Sequence, residues 1–118
     1  MKRFFALVFV ATLLFPLQAE EWIRINQLGY LPQSIKVAVF MSEDTSDLSQ
    51  FQLVDAYTQE VVKVFDSLKE SGSIGNMKST YRLNFSDYSI PGVYYLKAGN
   101  AVSPRFPINA QVYNGTAD

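Results

Sequence analysis

The sequence predicts an all-β sandwich, and three observations carry that expectation. Apolar residues alternate with period two in seven short runs, turn-forming clusters separate the runs, and no stretch after residue 19 keeps a helical period over three turns. Two antiparallel sheets packed face to face need such alternation, because each buries one face in a shared core and wets the other.

The runs follow in order. In 22–28, Ile23 and Ile25 share a face opposite Arg24 and Asn26, and in 35–41 the shared face is Val37, Val39 and Met41. Phe51 and Leu53 point the same way in 50–55, 60–65 adds a fourth strand, and Tyr81, Leu83 and Phe85 line one side of 80–85. The last two strands are 92–97 and 102–108, the latter with Phe106 and Ile108 on one side and Arg105 on the other. Turns fall at 29–34 with Pro32, 42–49, 57–59, 69–76, 86–91 and Gly99-Asn100, all but Tyr57-Thr58-Gln59 rich in Gly, Pro, Ser, Asn or Asp. The only helical candidate is 66–71, a single turn at best.

The immunoglobulin topology is the commonest way to arrange about seven antiparallel strands in about 100 residues. The segment Asp87-Tyr88-Ser89-Ile90-Pro91-Gly92-Val93-Tyr94 sharpens it, because it has the form of a tyrosine corner. In that motif a Tyr near the start of a strand returns its hydroxyl to backbone a few residues upstream. Tyr94 is the expected corner residue, with its ring in the core.

The first 19 residues read as an address. Lys2 and Arg3 precede a run from Phe4 to Leu14 that is apolar apart from Thr12, and Ala19 stands just before Glu20-Glu21. That is the layout of a secretory signal peptide, too short in its apolar part for the ~20 residues that span a bilayer. Cleavage is expected between Ala19 and Glu20, with an uncleaved anchor as the alternative. The expected organisation is a signal peptide at 1–19, the sandwich at 20–109, and a linker at 110–118 leading towards a further domain. The destination is periplasmic or extracellular, with no membrane association after cleavage.

Composition narrows the chemistry. The chain has 118 residues, 10 basic and 11 acidic, with no His and no Cys. Ser-His-Asp and Cys-His nucleophiles and zinc sites built from His and Cys are excluded. Losing 1–19 removes Lys2 and Arg3, which leaves eight basic residues against 11 acidic ones and a charge of −3. The basic residues are scattered along the sequence, so nucleic acid is not an expected partner.

Several segments resemble one family. Ile23-Arg24-Ile25-Asn26-Gln27-Leu28-Gly29-Tyr30-Leu31-Pro32, followed by Lys36-Val37-Ala38-Val39, resembles the start of the N-terminal Ig-like domain of family 9 glycoside hydrolases, the cellulase group. Phe51-Gln52-Leu53-Val54-Asp55 with Thr58 and Glu60-Val61-Val62 resembles that family's next strand pair, with Gln59 where the pattern usually has Gly. Tyr81-Arg82-Leu83-Asn84-Phe85-Ser86, with Asn84 in place of Asp, and Gly92-Val93-Tyr94-Tyr95-Leu96 resemble two later strands. Ser103, Phe106 and Ile108, then Val112-Tyr113, are similar to the last strand and the approach to the catalytic domain.

The resemblance implies a non-catalytic accessory domain. In related enzymes such a sandwich precedes an (α/α)6 barrel that hydrolyses β-1,4-glucans with inversion. Inversion needs two carboxyls ~6.5–9.5 Å apart, which the resemblance places in the barrel. No catalytic, cofactor-binding or metal-binding residue is therefore expected here. The implied partner is a barrel in the same chain, which this domain would pack on and stabilise, with β-glucan as a possible ligand.

Individual residues suggest alternatives. Glu43-Asp44-Thr45-Ser46-Asp47 has the hard oxygen donors of a calcium loop but lacks the glycine and distal Glu of an EF-hand, so a solvated turn is expected. Asp55, Glu60, Asp66 and Glu70 are read as surface charges rather than an acid/base pair. Trp22, Tyr30, Tyr57, Tyr88, Tyr95 and Tyr113 raise the possibility of a carbohydrate platform, or of core and interface roles. Gly29, Tyr30, Leu31 and Pro32, together with Tyr113, are the candidate docking residues, on the expectation of an exposed aromatic beside a rigid Pro. A stand-alone carbohydrate-binding module and a domain lending a sheet edge to a partner strand are the rival roles.

Overall fold

A computed structural model of the chain describes residues 20–112. Residues 1–19, expected to be a signal peptide, and Tyr113 lie outside the described residues. Nine strands occur among them: β1 (Glu21–Arg24), β2 (Val37–Ser42), β3 (Phe51–Asp55), β4 (Val61–Phe65), β5 (Leu68–Glu70), β6 (Ser79–Asn84), β7 (Gly92–Ala98), β8 (Ala101–Val102) and β9 (Phe106–Ile108). They form a four-stranded sheet in the order β1-β2-β6-β5 and a five-stranded sheet in the order β4-β3-β7-β8, with β9 also on β7. All pairings are antiparallel. This is the immunoglobulin arrangement, with ABED on one sheet and CFG plus C′ on the other.

β8 and β9 are two parts of one edge strand, broken at Ser103-Pro104. The Ser103 amide donates to the Leu96 carbonyl at 2.8 Å, and its hydroxyl accepts from the Leu96 amide at 2.8 Å. The side chain thus replaces the backbone carbonyl of a regular ladder, and no polar group is lost where Pro104 interrupts the strand.

Two expectations are corrected. The segment 66–71 is not helical: Leu68–Glu70 is a strand against β6, with Leu68 opposite Leu83. In the second strand the buried face is Ala38, Phe40 and Ser42, with Lys36 leading in, whereas Val37, Val39 and Met41 face outward. The first strand is also shorter than its run, ending at Arg24, although Ile25 still packs on the core.

The core fills between the sheets with Ile23, Ala38, Phe40, Tyr81 and Leu83 from one side and Phe51, Leu53, Leu96, Phe106 and Ile108 from the other. Phe51 stacks on Phe65 with centroids 5.1 Å apart. Phe85 lies tilted against Phe106 at 5.6 Å. Burial of this apolar area is what chiefly stabilises the fold. Among the described residues no buried side-chain nitrogen or oxygen lacks a hydrogen-bond partner. No helix among them is long and apolar enough to cross a membrane.

Candidate functional site

Four chain segments meet at one pole of the sandwich: 25–36, 55–60, 85–91, and the exit after Ile108. Pairing fixes their proximity. Tyr30 bridges Ile108 in parallel, the Asn109 amide donates to the Tyr30 carbonyl at 3.1 Å, and the Ala56 amide donates to the Val93 carbonyl at 2.9 Å. The Lys36 amide donates to the Ser86 hydroxyl at 2.8 Å, which joins the first loop to the third.

The loop expected to dock is shaped mostly from within. Tyr30 is not an exposed aromatic: it is 5% exposed, edge-on to Phe85 and Phe106 at 5.0 and 5.4 Å. Its hydroxyl donates to the Val37 carbonyl at 3.0 Å and accepts from the Asn26 amide at 2.9 Å, which ties both ends of the loop. Gly29 is buried with φ 101°, and a Cβ there would meet the Pro107 carbonyl and, at 2.7 Å, its ring. Position 29 therefore excludes any side chain. Leu31 and Pro32 are half-buried and remain at the surface.

Lys36 holds this loop from inside. Its side chain is fully buried, and its Nζ donates to the carbonyls of Pro32 at 2.6 Å, Ser34 at 3.0 Å and Ser86 at 3.3 Å. Three carbonyls match the three protons of an ammonium. Burial lowers its pKa below the ordinary lysine range, and the nearby Asp87 charge pulls the other way. A lysine on an inward position within an apolar alternation is a signal that sequence reasoning passed over.

The tyrosine corner is present. The Tyr94 hydroxyl donates to the Ile90 carbonyl at 2.9 Å, lies 3.2 Å from the Tyr88 hydroxyl, and has its pKa raised chiefly by burial. A Cβ at position 92 would fall 2.7 Å from that hydroxyl, so Gly92 leaves the room in which the ring folds back.

The third loop of the pole is the β3–β4 turn. The Asp55 carboxylate accepts from the amides of Tyr57 at 2.8 Å and Thr58 at 3.1 Å. Those bonds, Thr58 first, hold its pKa below the ordinary carboxylate value. On the surface of the pole stand Ile35 and Tyr57, 81% and 77% exposed, together with exposed Leu28 and Ile90.

The other candidate residues are dispersed. Trp22 lies on the outer face of the four-stranded sheet, and Tyr95 on β7 of the five-stranded sheet, so the two rings share no platform. Tyr88 packs edge-on to Tyr94 at 5.3 Å. Glu43, Asp44 and Asp47 are exposed, and no group of three acidic side chains among the described residues is placed to hold a metal ion. Asp55 and Glu60 close one turn, where the Asp55 amide donates to the Glu60 carbonyl at 2.9 Å, while Glu70 pairs opposite Tyr81 on the other sheet. Four shallow depressions of about 280 to 340 Å³ mark the surface, and a carboxylate lines none of these four.

The comparisons agree with this architecture. A family model described as the cellulase N-terminal Ig-like domain matches residues 18–103. The chain belongs to this family. It is 38% identical over 99 residues to a xyloglucan-specific endo-β-1,4-glucanase of Bacteroides ovatus, BoGH9A, a match that takes in 84% of this chain and 16% of that enzyme. The solved structure of a Bacteroides ovatus GH9 protein superposes with a TM-score of 0.66 at 36% identity, over 80% of this chain and 17% of the other. A metagenome-derived glycoside hydrolase family 9 endoglucanase superposes with a TM-score of 0.65 at 26% identity, over 80% of this chain and 19% of its own. The chain thus spans less than a fifth of the relatives it matches, and the shared part is the Ig-like domain rather than a catalytic domain.

Proposed function

We propose that this cellulase N-terminal Ig-like domain is the non-catalytic accessory module of an exported glucan-degrading enzyme. On this reading it packs on a catalytic barrel in the same polypeptide and stabilises it. One observation carries the reading: the pole from which the chain leaves the sandwich after Ile108 also presents Leu28, Ile35, Tyr57 and Ile90 in the open. Large apolar side chains gathered where a following domain would be tethered are what an interdomain contact buries. Leu31 and Pro32 belong to that surface, Gly29 and Tyr30 shape it from beneath, and Tyr113 follows a few residues later in the sequence.

The test uses the native gene product. Its intact mass is expected to exceed that of residues 20–118 by several hundred residues' worth. In that longer protein Ile90→Asp, at an exposed position, is expected to lower the melting temperature of the catalytic domain by several degrees while the sandwich stays folded. An unchanged melting temperature, with Tyr57→Asp equally silent, would overturn docking at this pole. Purified 20–118 is expected to release no reducing sugar from carboxymethylcellulose.

A further inference from the structure

Docking at the pole leaves the outer face of the four-stranded sheet without a role. Strand register sets three rows of side chains on it. Arg24, Val39, Arg82 and Lys69 lie side by side across β1, β2, β6 and β5. Trp22 and Met41 form the row on one side, beyond which Thr80 is 1% exposed and bonded to the Gly72 carbonyl, and Val37 and Asn84 form the row on the other. No carboxylate occupies these rows. Three cations are thus neighbours in a segment, 20–118, whose net charge is −3. Strand spacing puts Arg82 about 5 Å from Lys69 and about 10 Å from Arg24, measured between backbones.

The relief of the face adds a second observation. One depression of about 290 Å³ is lined by Trp22, Arg24, Met41 and Met77, and another of about 330 Å³ by Ser67, Lys69, Arg82 and Asn84. Trp22 is 38% exposed beside the first. An indole with an open face stacks on the apolar side of a pyranose ring. Guanidinium and ammonium groups bind carboxylates through short charge-assisted hydrogen bonds.

We infer that this face binds a carboxylate-bearing polysaccharide, with Trp22 as the stacking platform and Arg24, Arg82 and Lys69 as the anion-binding groups. A chain-like ligand suits the dimensions. With four strands in the central row and only two or three in each flanking row, the face covers at most about 15 by 20 Å, a few hundred Å², well below the roughly 800 Å² per partner of a stable protein interface. The inference does not depend on docking at the pole, since its site lies on a different surface and its test needs no catalytic domain.

The test is affinity electrophoresis of the purified chain in gels containing polygalacturonate or, separately, neutral hydroxyethylcellulose. Polygalacturonate is expected to retard the protein and hydroxyethylcellulose to leave it unretarded, with the retardation shrinking at about 0.3 M NaCl as the charges are screened. Trp22→Ala and Arg82→Gln are each expected to weaken apparent affinity about tenfold. Both side chains point outward, so the melting temperature of each variant checks that the fold survives. Lys97→Gln, an exposed lysine on the other sheet, is expected to bind as the unmodified chain does. Equal migration in both gels would overturn the inference, and so would Lys97→Gln weakening binding as much as Arg82→Gln.

Discussion

Gln59 holds a backbone conformation that its side chain disfavours. Its φ is 61°, in the left-handed region, and the turn around it is fixed by the Gln59 amide donating to the Asp55 carbonyl at 2.8 Å. A residue with a Cβ pays roughly 1–2 kcal/mol there that Gly avoids. Gln59→Gly is therefore expected to stabilise the domain by about 0.5–1 kcal/mol after the extra chain entropy of Gly is counted. A urea midpoint that stays put or falls would show that the Gln side chain contributes a compensating contact. Lys36 is the opposite case, a polar residue whose burial is fully matched. Lys36→Met leaves the carbonyls of Pro32, Ser34 and Ser86 without their donor and is expected to lose about 1–3 kcal/mol. Its pH signature has a definite sign. With the folded pKa lowered from 10.5, the folded chain binds fewer protons than the unfolded one between those two values. Stability therefore rises with pH through that window, and the Met variant should lack the rise.

At the scale of the element, β2 shows what period-two reading can and cannot do. It finds the strand and leaves its phase open, because both faces carry apolar residues. Val37, Val39 and Met41 look like the buried set, yet the core takes Ala38 and Phe40, with Lys36 and Ser42 at the two ends of the same face. Polar residues with dedicated partners on the inner face reversed the apparent pattern: Lys36 finds three carbonyls, and the Ser42 hydroxyl pairs with Glu21 Oε2 at 3.2 Å. The assignment has a direct check. Phe40→Ala is expected to lose about 3–5 kcal/mol, and Val39→Ala less than about 1 kcal/mol, in denaturant melts. Comparable losses would mean that the strand buries both faces. β5 went unread for a different reason. Its three residues, Leu68, Lys69 and Glu70, show a single apolar position, too few to reveal any period, and its strand conformation is imposed by pairing with β6.

For the whole molecule, the fold was legible because the force that chiefly drives it, burial of alternating apolar side chains, is written directly into the sequence. Phe51, Leu53, Tyr81, Leu83, Phe106 and Ile108 all occupy the core positions their alternation assigns. The tyrosine corner was legible as well, since Pro91, Gly92 and Tyr94 form a local motif whose parts lie within a few residues. The surface of the candidate site was harder. Tyr30 reads as a loop aromatic, and only the return of β9 beside it, with Phe106 packing on its ring, takes it out of solvent. Ile35, Tyr57 and Ile90 come from three loops far apart in sequence, so their gathering at one pole exists only after folding.

The positions of the two ends give the sandwich a mechanical character. β1 begins at Glu21 opposite Ser42, at the far pole, and runs towards Arg24, while β9 ends at Ile108 opposite Gly92, at the near pole. A pull applied through Glu21 and Asn109 would therefore draw β1 along β2 and β9 along β7. Interstrand hydrogen bonds lie across the strands, so such a load meets each set together rather than one bond after another. A load between Glu21 and a domain tethered after Asn109 would therefore meet a module that resists extension along its strands.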